Sequence, residues 1–148
     1  MTTEPSARDA ALRLLSRRDY AAAELLEALL AQDFEEEDAR DAVGWLVEIR
    51  YVDDEKYAQG ILRRCVSKGY GYARCLDDMH ARGVDEAVAA RVLEEYPDDA
   101  EVAARWVARL RRGALDFRER RRLTGLLLRR GFAPDEIETA LYEAAEEE

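Results

Sequence analysis

Apolar residues recur along the chain in one pattern that appears three times. An aromatic or β-branched residue ends a helical stretch at Phe34, Val84 and Phe132, at intervals of 50 and 48 residues. Nine and five residues before each of these positions, apolar side chains stand four residues apart, as on one face of a helix. The pairs are Leu25 and Leu29, Cys75 and Met79, and Leu123 and Leu127. The pattern predicts a tandem repeat.

One further helix precedes each of these stripes and another follows it. The preceding helices are predicted at 7–18, 54–68 and 99–112. After each anchor residue, apolar positions recur at nine and twelve residues, at Val43 and Leu46, Leu93 and Tyr96, and Leu141 and Ala144. Each repeat is therefore expected to contain three helices, and the repeats are predicted at about 6–50, 51–97 and 98–148.

Residues typical of helix starts and ends stand at these boundaries. Ser6 and Asp98 are predicted N-caps, and Pro134 suits the first turn of a helix. Gly69 and Gly83 each follow a basic residue, which is typical of a helix that ends at a glycine with positive φ. The boundaries therefore have support that is independent of the apolar pattern.

A three-helix unit of this size is too small to bury its apolar faces alone, so the repeats are expected to pack against one another. We therefore predict an all-α fold in which three tandem three-helix repeats stack into an elongated, curved helical array. Arrays of this kind commonly use their concave face as a binding surface. The fold therefore favours a macromolecular partner over a small substrate.

Composition agrees with one soluble helical domain. The 148 residues are 48% hydrophobic and 38% charged, with three prolines and eight glycines. Cys65 and Cys75 have neither metal-ligand spacing nor a disulfide framework, which is typical of a reducing compartment. The sequence shows no signal-peptide pattern and no apolar run of membrane-spanning length. A cytoplasmic protein without membrane contact is expected.

Charge is distributed unevenly along the chain. The whole sequence has a formal net charge of −10, which opposes approach to a polyanion. Between residues 105 and 130, however, ten arginines stand against Asp116 and Glu119, a local net charge of +8. Helical geometry predicts two arginine stripes there. They are Arg105, Arg109 and Arg112, with Trp106 on the opposite face, and Arg118, Arg122 and Arg129.

A second, smaller basic group combines cations with aromatic rings. Its members are Arg63, Arg64, Lys68 and Arg74, with Tyr70 and Tyr72 among them. Guanidinium groups bind phosphates and carboxylates through paired hydrogen bonds, and tyrosine rings can stack on bases. Two simpler interpretations stay open: the arginines form the solvated faces of amphipathic helices, and the tyrosines pack at a helix turn.

Sequence signals for catalysis are weak. The chain has no nucleophile, phosphate-binding or metalloprotease motif. Its single histidine, His80, repeats the position of Leu30 and Leu128, so we predict that it packs in a helix rather than acting as a base. Asp53 and Asp54 stand before a helix and are predicted to cap it. We expect a protein that is not an enzyme and has no cofactor or metal.

The segment 50–93 resembles the central repeat of the bacterial RecX family of recombination regulators. The family pattern begins with an aromatic residue, an aliphatic residue and two acidic residues, and an aromatic-alanine pair follows. This chain matches it with Tyr51, Val52, Asp53, Asp54, Tyr57 and Ala58. A basic-glycine-aromatic-glycine turn follows at 68–71, and an arginine-glycine-aliphatic-acid turn at 82–85. The opening helix and the segment 126–141 are also similar to the family. In the first repeat, Gln32 and Asp33 replace the basic-glycine pair.

This resemblance implies a non-enzymatic modulator of the recombinase RecA. Such a protein lodges in the groove of the RecA filament on DNA and restrains ATP turnover, strand exchange and coprotease activity, in DNA recombination, DNA repair and the SOS response. The implied partners are the RecA filament and the single-stranded DNA within it, and a monomer is expected. The residues expected to contact the filament are Arg63, Arg64, Lys68, Tyr70, Arg74, Arg105, Arg109, Arg112, Arg118, Arg121, Arg122, Arg129 and Arg130. The alternative is an autonomous helical-repeat protein that binds nucleic acid by itself.

Overall fold

The structure is a computed structural model that describes residues 5–147. Within this range it consists of nine α-helices and contains no strand, so the predicted all-α class is confirmed. The helices are α1 (Ala7–Leu15), α2 (Ala22–Ala31), α3 (Glu36–Glu48), α4 (Asp54–Lys68), α5 (Tyr72–Ala81), α6 (Glu86–Leu93), α7 (Asp99–Leu110), α8 (Phe117–Arg129) and α9 (Pro134–Glu146). Across the described residues, no helix is both long and apolar enough to cross a membrane.

By its internal contacts the chain divides into two compact units. The first unit contains the described residues up to Gly60 together with Met79–Ala90, and the second contains Ile61–Asp78 together with residues 91–147. These limits fall within the middle repeat that the sequence suggests, and the repeat boundaries stay a prediction.

The first unit has its core between α1, α2 and α3. Leu25 and Leu29 on α2 are fully buried, and they belong to the same apolar cluster as Val43 and Leu46 on α3 and the alanines of α1. The predicted apolar stripe of the first repeat therefore faces this core. Burying a leucine side chain contributes roughly 1.5–3 kcal/mol, so the two leucines of α2 are major contributors to the stability of the unit.

The core of the second unit lies between α7, α8 and α9. Leu123 and Leu127 on α8 are fully buried beside Val102 and Val107 on α7. Ile137 and Leu141 of α9 complete this cluster. Cys75, which belongs to the stripe of the middle repeat, is also fully buried. The stripes predicted for α5 and α8 are therefore confirmed as core positions.

Most of the predicted capping residues act as expected. The Ser6 side chain accepts a hydrogen bond from Asp9 N, and Asp98 accepts one from Ala100 N. Pro134 occupies the first turn of α9. Two helices end earlier than the apolar pattern suggested, because α1 ends at Leu15 and α7 at Leu110. Arg112 consequently lies in the loop after α7 rather than on the arginine stripe of that helix.

The turn before each anchor residue uses a left-handed backbone in all three repeats. Gly83 and Gly131 have φ values of 75° and 92°, and Asp33, at the corresponding position of the first repeat, has a φ of 67°. Aspartate is among the few non-glycine residues that tolerate this conformation. The first repeat therefore has the same turn geometry without the glycine.

One prediction about packing and one about the extent of a helix were wrong. His80 is exposed, as are Leu30 and Leu128 at the corresponding positions, so this side of the helix faces solvent rather than a neighbouring helix. Tyr96 lies beyond the end of α6, so the predicted helix does not extend to it, although its side chain is partly buried against the core of the second unit. Its hydroxyl instead donates a hydrogen bond to the Tyr70 carbonyl oxygen at 2.8 Å.

Candidate functional site

Five side chains of the second unit alternate between arginine and aromatic residues. In spatial order they are Arg109, Trp106, Arg130, Tyr70 and Arg74. The guanidinium carbons of Arg109 and Arg130 lie 4.9 and 4.8 Å from the centre of the Trp106 ring. Those of Arg130 and Arg74 lie 5.9 and 3.7 Å from the centre of the Tyr70 ring. We call this arrangement the arginine-aromatic ladder.

Hydrogen bonds to the backbone fix the middle of the ladder. Gly71 N donates to the Arg130 carbonyl oxygen at 2.7 Å, and the Arg130 guanidinium donates to the Lys68 carbonyl oxygen. Arg74 Nη1 donates to the Arg129 carbonyl oxygen at 3.2 Å. The turn between α4 and α5 therefore packs directly against the C-terminal end of α8, which brings Tyr70 and Arg130 together.

A glycine in this turn is required by the ladder. Gly69 has a φ of 75°, and a Cβ atom at this position would overlap the indole of Trp106. A side chain there would meet both an unfavourable backbone conformation and a steric clash. The basic-glycine-aromatic-glycine turn noted in the sequence is therefore the segment that allows α7 to approach this close.

The arginines of the ladder carry positive charge that no carboxylate of the described residues pairs with. Among residues 5–147, none of Arg74, Arg109 and Arg130 forms an ion pair. Arg109 is exposed, whereas Arg74 and Arg130 are partly buried. Guanidinium groups in this state attract phosphates or carboxylates of a partner.

Other predicted arginines have structural contacts instead. Arg122 forms a two-point ion pair with Glu119, with Nε–Oε1 at 2.6 Å and Nη2–Oε2 at 2.9 Å, and it also donates to the Leu110 carbonyl oxygen. The Arg122 guanidinium and the Arg112 N–H lower the pKa of Glu119 to about 2. Arg122 therefore connects the end of α7 to α8, and its charge is already paired.

The remaining predicted side chains lie on the surface. Arg118 and Arg121 are exposed near the start of α8, and neither forms an ion pair within the described range. Arg112 is exposed in the loop before them. Five further exposed cations complete the set, and they are Arg63, Arg64, Lys68, Arg105 and Arg129.

Two aromatic residues of this surface, Trp106 and Phe117, were not predicted as site residues from the sequence. A helical projection places Trp106 on the face opposite the arginine stripe of α7, yet its ring contacts Arg109 of that stripe and Arg130 at the end of α8. Its spacing of three residues from Arg109 was the available signal. Phe117, at the start of α8, is 76% exposed with the Arg121 guanidinium beside its ring. Tyr72 has no arginine contact of this kind in the described residues. Its ring instead packs edge to face on the ring of Tyr96, with the ring centres 5.7 Å apart.

Comparisons with known proteins agree with this architecture. Residues 7–46 match the family model for the first three-helix domain of RecX. The regulatory protein RecX of Stenotrophomonas maltophilia (strain K279a) is 35% identical over 133 residues, which are 88% of this chain and 82% of that protein. The regulatory protein RecX of Vibrio parahaemolyticus is 34% identical over 92% of this chain and 90% of its own length. The chain belongs to the RecX family.

The fold of this RecX-family chain also resembles solved structures. The crystal structure of RecX from Lactobacillus salivarius superposes with a TM-score of 0.78 over 96% of both chains, at 21% sequence identity. A second crystal structure of regulatory protein RecX superposes with a TM-score of 0.76 over 96% of this chain and 72% of that one. The helical architecture is therefore shared at low sequence identity.

Residues of the RecX-like pattern in the first unit have structural contacts. The Tyr57 hydroxyl donates to Glu24 Oε1 at 3.2 Å and accepts hydrogen bonds from Arg18 and Arg82. Asp53 caps α4 as predicted, through Glu55 N and Lys56 N. These contacts hold the start of α4 in place.

Asp54 has a different role from the predicted cap. Its carboxylate accepts from Ala22 N at 2.8 Å and from Asp85 N at 3.3 Å. It therefore stabilises the start of α2 and the turn before α6. This acidic residue of the RecX-like pattern joins three backbone segments of the first unit.

The two cysteines of this RecX-family protein are buried. Cys65 Sγ lies 3.8 Å from Asp78 Oδ2, and both thiols are free. The hydrogen bond with Cys65 and burial both raise the pKa of the Cys75 thiol. Because the thiolate is the reactive form, Cys75 is poorly suited to act as a nucleophile.

Proposed function

We propose that this RecX-family protein binds the RecA filament on DNA and modulates, most directly by inhibition, its ATPase, strand-exchange and coprotease activities. The observation that carries the proposal is a set of arginines in the second unit that form no ion pair within residues 5–147, in a chain that is acidic as a whole; they are Arg74, Arg109, Arg118, Arg121 and Arg130. Such a surface selects a negatively charged partner, and the family name gives a regulatory role. The proposed location is the cytoplasm, and the proposed state is a monomer.

The ladder supplies rigid cations for this interaction. Because Arg130 contacts two aromatic rings and a backbone carbonyl, little side-chain freedom remains to be lost when a partner binds. Arg109 and Arg74 extend the positive charge on either side. Contacts of this kind, made to DNA phosphates or to acidic RecA side chains across neighbouring protomers, would restrain the motions that accompany ATP hydrolysis or filament growth.

The proposed role is binding rather than catalysis. Relatives are named as regulatory proteins, and the candidate site consists of guanidinium groups, which do not exchange protons near neutral pH. Modulation of RecA therefore requires a change in the filament, not a reaction carried out by this chain.

The test is the DNA-dependent ATPase rate of RecA from the same source, at physiological salt, with and without this protein. A lower rate at well below one copy per RecA is expected, with little binding to bare DNA under the same conditions. An unchanged rate at saturating protein would refute filament regulation.

Two triple variants, each lacking three arginine charges, test whether the position of the charges matters. Replacement of Arg118, Arg121 and Arg129 together by alanine removes three exposed charges from the second unit, and it should weaken the effect on RecA. The control replaces Arg13, Arg17 and Arg40, which are exposed in the first unit, and should act like the unmodified protein. If both triple variants lose the effect on the RecA ATPase rate equally, the effect depends on overall charge and not on these three positions.

The second candidate function is nucleic-acid binding without RecA. The arginine density of the segment 105–130 favours it. Binding to bare DNA through several phosphates would weaken by roughly one log unit of affinity per log unit of salt for each phosphate contacted. Tight, steeply salt-dependent binding combined with an unchanged RecA ATPase rate would favour this function over the first.

A further inference from the structure

Phe117 is the most exposed of the large apolar side chains in the described part of the chain. It is the first residue of α8 and is 76% exposed. The guanidinium carbon of Arg121 lies 5.8 Å from its ring centre, so most of the ring surface stays open to solvent. An open aromatic ring beside cations is a feature of surfaces that bind unpaired nucleobases.

The loop that presents Phe117 is well ordered by hydrogen bonds. Arg120 Nε donates to the Leu115 carbonyl oxygen at 3.0 Å, and Leu115 itself is buried. Arg111 donates to the Gly113 carbonyl oxygen through Nε and Nη2, at 3.0 and 2.8 Å. Because the loop is fixed, a ligand that contacts Phe117 loses little affinity to the ordering of this segment.

The acidic side chains near Phe117 are occupied by contacts within the protein. Asp116 Oδ1 accepts from Glu119 N at 2.8 Å. Glu119 accepts from Arg112 N and from the Arg122 guanidinium. Arg121 lies beside the ring. Arg121, Arg112 and Arg118 are exposed and form no ion pair in residues 5–147, so these three cations outnumber the one exposed carboxylate of this segment, that of Asp116.

We propose that Phe117 is a stacking platform for an unpaired nucleobase and that Arg118 and Arg121 bind the phosphates on either side of it. The ligand class is single-stranded nucleic acid. Residues on both sides of Phe117 in sequence line a cleft of about 340 Å³, which offers space for a neighbouring nucleotide. Its lining contains Arg112, Arg118 and the paired Arg122, and also Asp116 and Glu119.

A single strand fits this surface better than a duplex or an acidic protein segment. In a duplex the bases stack on one another, so their faces are not free for Phe117. Carboxylates of an acidic protein would satisfy the arginines but would leave the aromatic ring exposed. A single strand offers both phosphates and open π-faces, and stacking of this kind tolerates any base sequence.

The experiment measures binding of the full chain to three fluorescent oligonucleotides of equal length at low salt. They are a single strand of thymidines, a strand with the same phosphates but abasic sugars, and a duplex. The unmodified protein should bind the thymidine strand most tightly. Phe117→Ala should weaken binding of that strand by about 5- to 150-fold. Binding of the abasic strand should not change, because that strand has no base to stack.

Two further variants act as controls. Phe117→Trp keeps a stacking surface and should retain tight binding to the thymidine strand. Tyr142→Ala removes another exposed aromatic side chain, on α9, and should leave binding unchanged. The stacking role is excluded if Phe117→Ala weakens binding of the abasic strand as much as binding of the thymidine strand. It is also excluded if the variant weakens binding of neither strand.

The inference rests on the proposed function only in using the same arginine surface, and its test contains no RecA. If the protein leaves the RecA ATPase rate unchanged, filament regulation fails while the oligonucleotide comparison still decides the role of Phe117. If Phe117→Ala changes the effect on RecA but not binding to the strands, Phe117 contacts protein and the nucleobase proposal is wrong.

Discussion

The guanidinium of Arg130 lies over the indole of Trp106, with its central carbon 4.8 Å from the ring centre. The two residues are far apart in sequence, one on α7 and the other at the C-cap of α8. Their contact converts a surface arginine into a fixed cation between Trp106 and Tyr70. It also joins two helices of the second unit beside the turn that contains Gly69.

Replacing Arg130 by lysine should destabilise the protein although the charge is kept. Lysine lacks the planar group that stacks on aromatic rings, and a partly exposed cation-π contact contributes about 1 kcal/mol. Urea unfolding should therefore show a lower midpoint for Arg130→Lys. Arg129→Lys is the matched control, because the neighbouring side chain is exposed and makes no ring contact, and its midpoint should not change.

Gly69→Ala and Gly44→Ala should have opposite effects on stability. Alanine at position 69 would have to adopt a φ of 75° and would overlap Trp106, so we expect a loss of more than about 1 kcal/mol. Gly44 lies within α3 with open space around it, and alanine there should add about 0.5–1 kcal/mol through helix propensity. Thermal unfolding of both variants measures the difference. Equal effects would mean that Gly69 does not limit the approach of Trp106.

Much of the fold follows from local patterns that the sequence makes visible. The stripe at Leu123 and Leu127 predicts a buried helix face because its spacing alone defines that face. Caps such as Ser6 and turns such as Gly83 are also local, and the structure confirms them. His80 was misassigned because a repeated position need not be buried when its equivalents Leu30 and Leu128 are exposed as well.

The site was harder to predict because it depends on contacts between distant segments. Sequence reasoning found the arginines of 105–130 but treated Arg118 and Arg122 alike, although only Arg122 is paired with Glu119. The ion pair itself is local, because Glu119 and Arg122 stand three residues apart on α8, and this spacing was the available signal. The further hydrogen bond from Arg122 to the Leu110 carbonyl oxygen depends on the loop between α7 and α8. The role of Trp106 likewise requires Arg130 from another helix, which a helical projection of α7 does not contain.

Neighbouring leucines of α8 should respond very differently to truncation. Leu127 is fully buried, so Leu127→Ala should cost about 2–5 kcal/mol through lost burial and the cavity left behind. Leu128 is 47% exposed, and Leu128→Ala should cost well under that amount. Urea unfolding of both variants provides the measurement. Similar losses at the two positions would contradict the orientation of α8 in the second unit.

The ion pair between Glu119 and Arg122 should make stability depend on pH in the acid range. The Arg122 guanidinium and the Arg112 N–H lower the pKa of Glu119 from 4.5 to about 2 in the folded protein. A carboxyl group with a lowered folded pKa stabilises the protein above its unfolded pKa, and this contribution is lost as pH falls through the folded pKa. Glu119→Gln should therefore be less stable than the unmodified protein at pH 7, and the difference should shrink between pH 4.5 and pH 2. Urea unfolding at several pH values measures it, with Glu138→Gln, an exposed residue of α9, as the control. A difference that stays constant over this range would show that the interaction is not ionic.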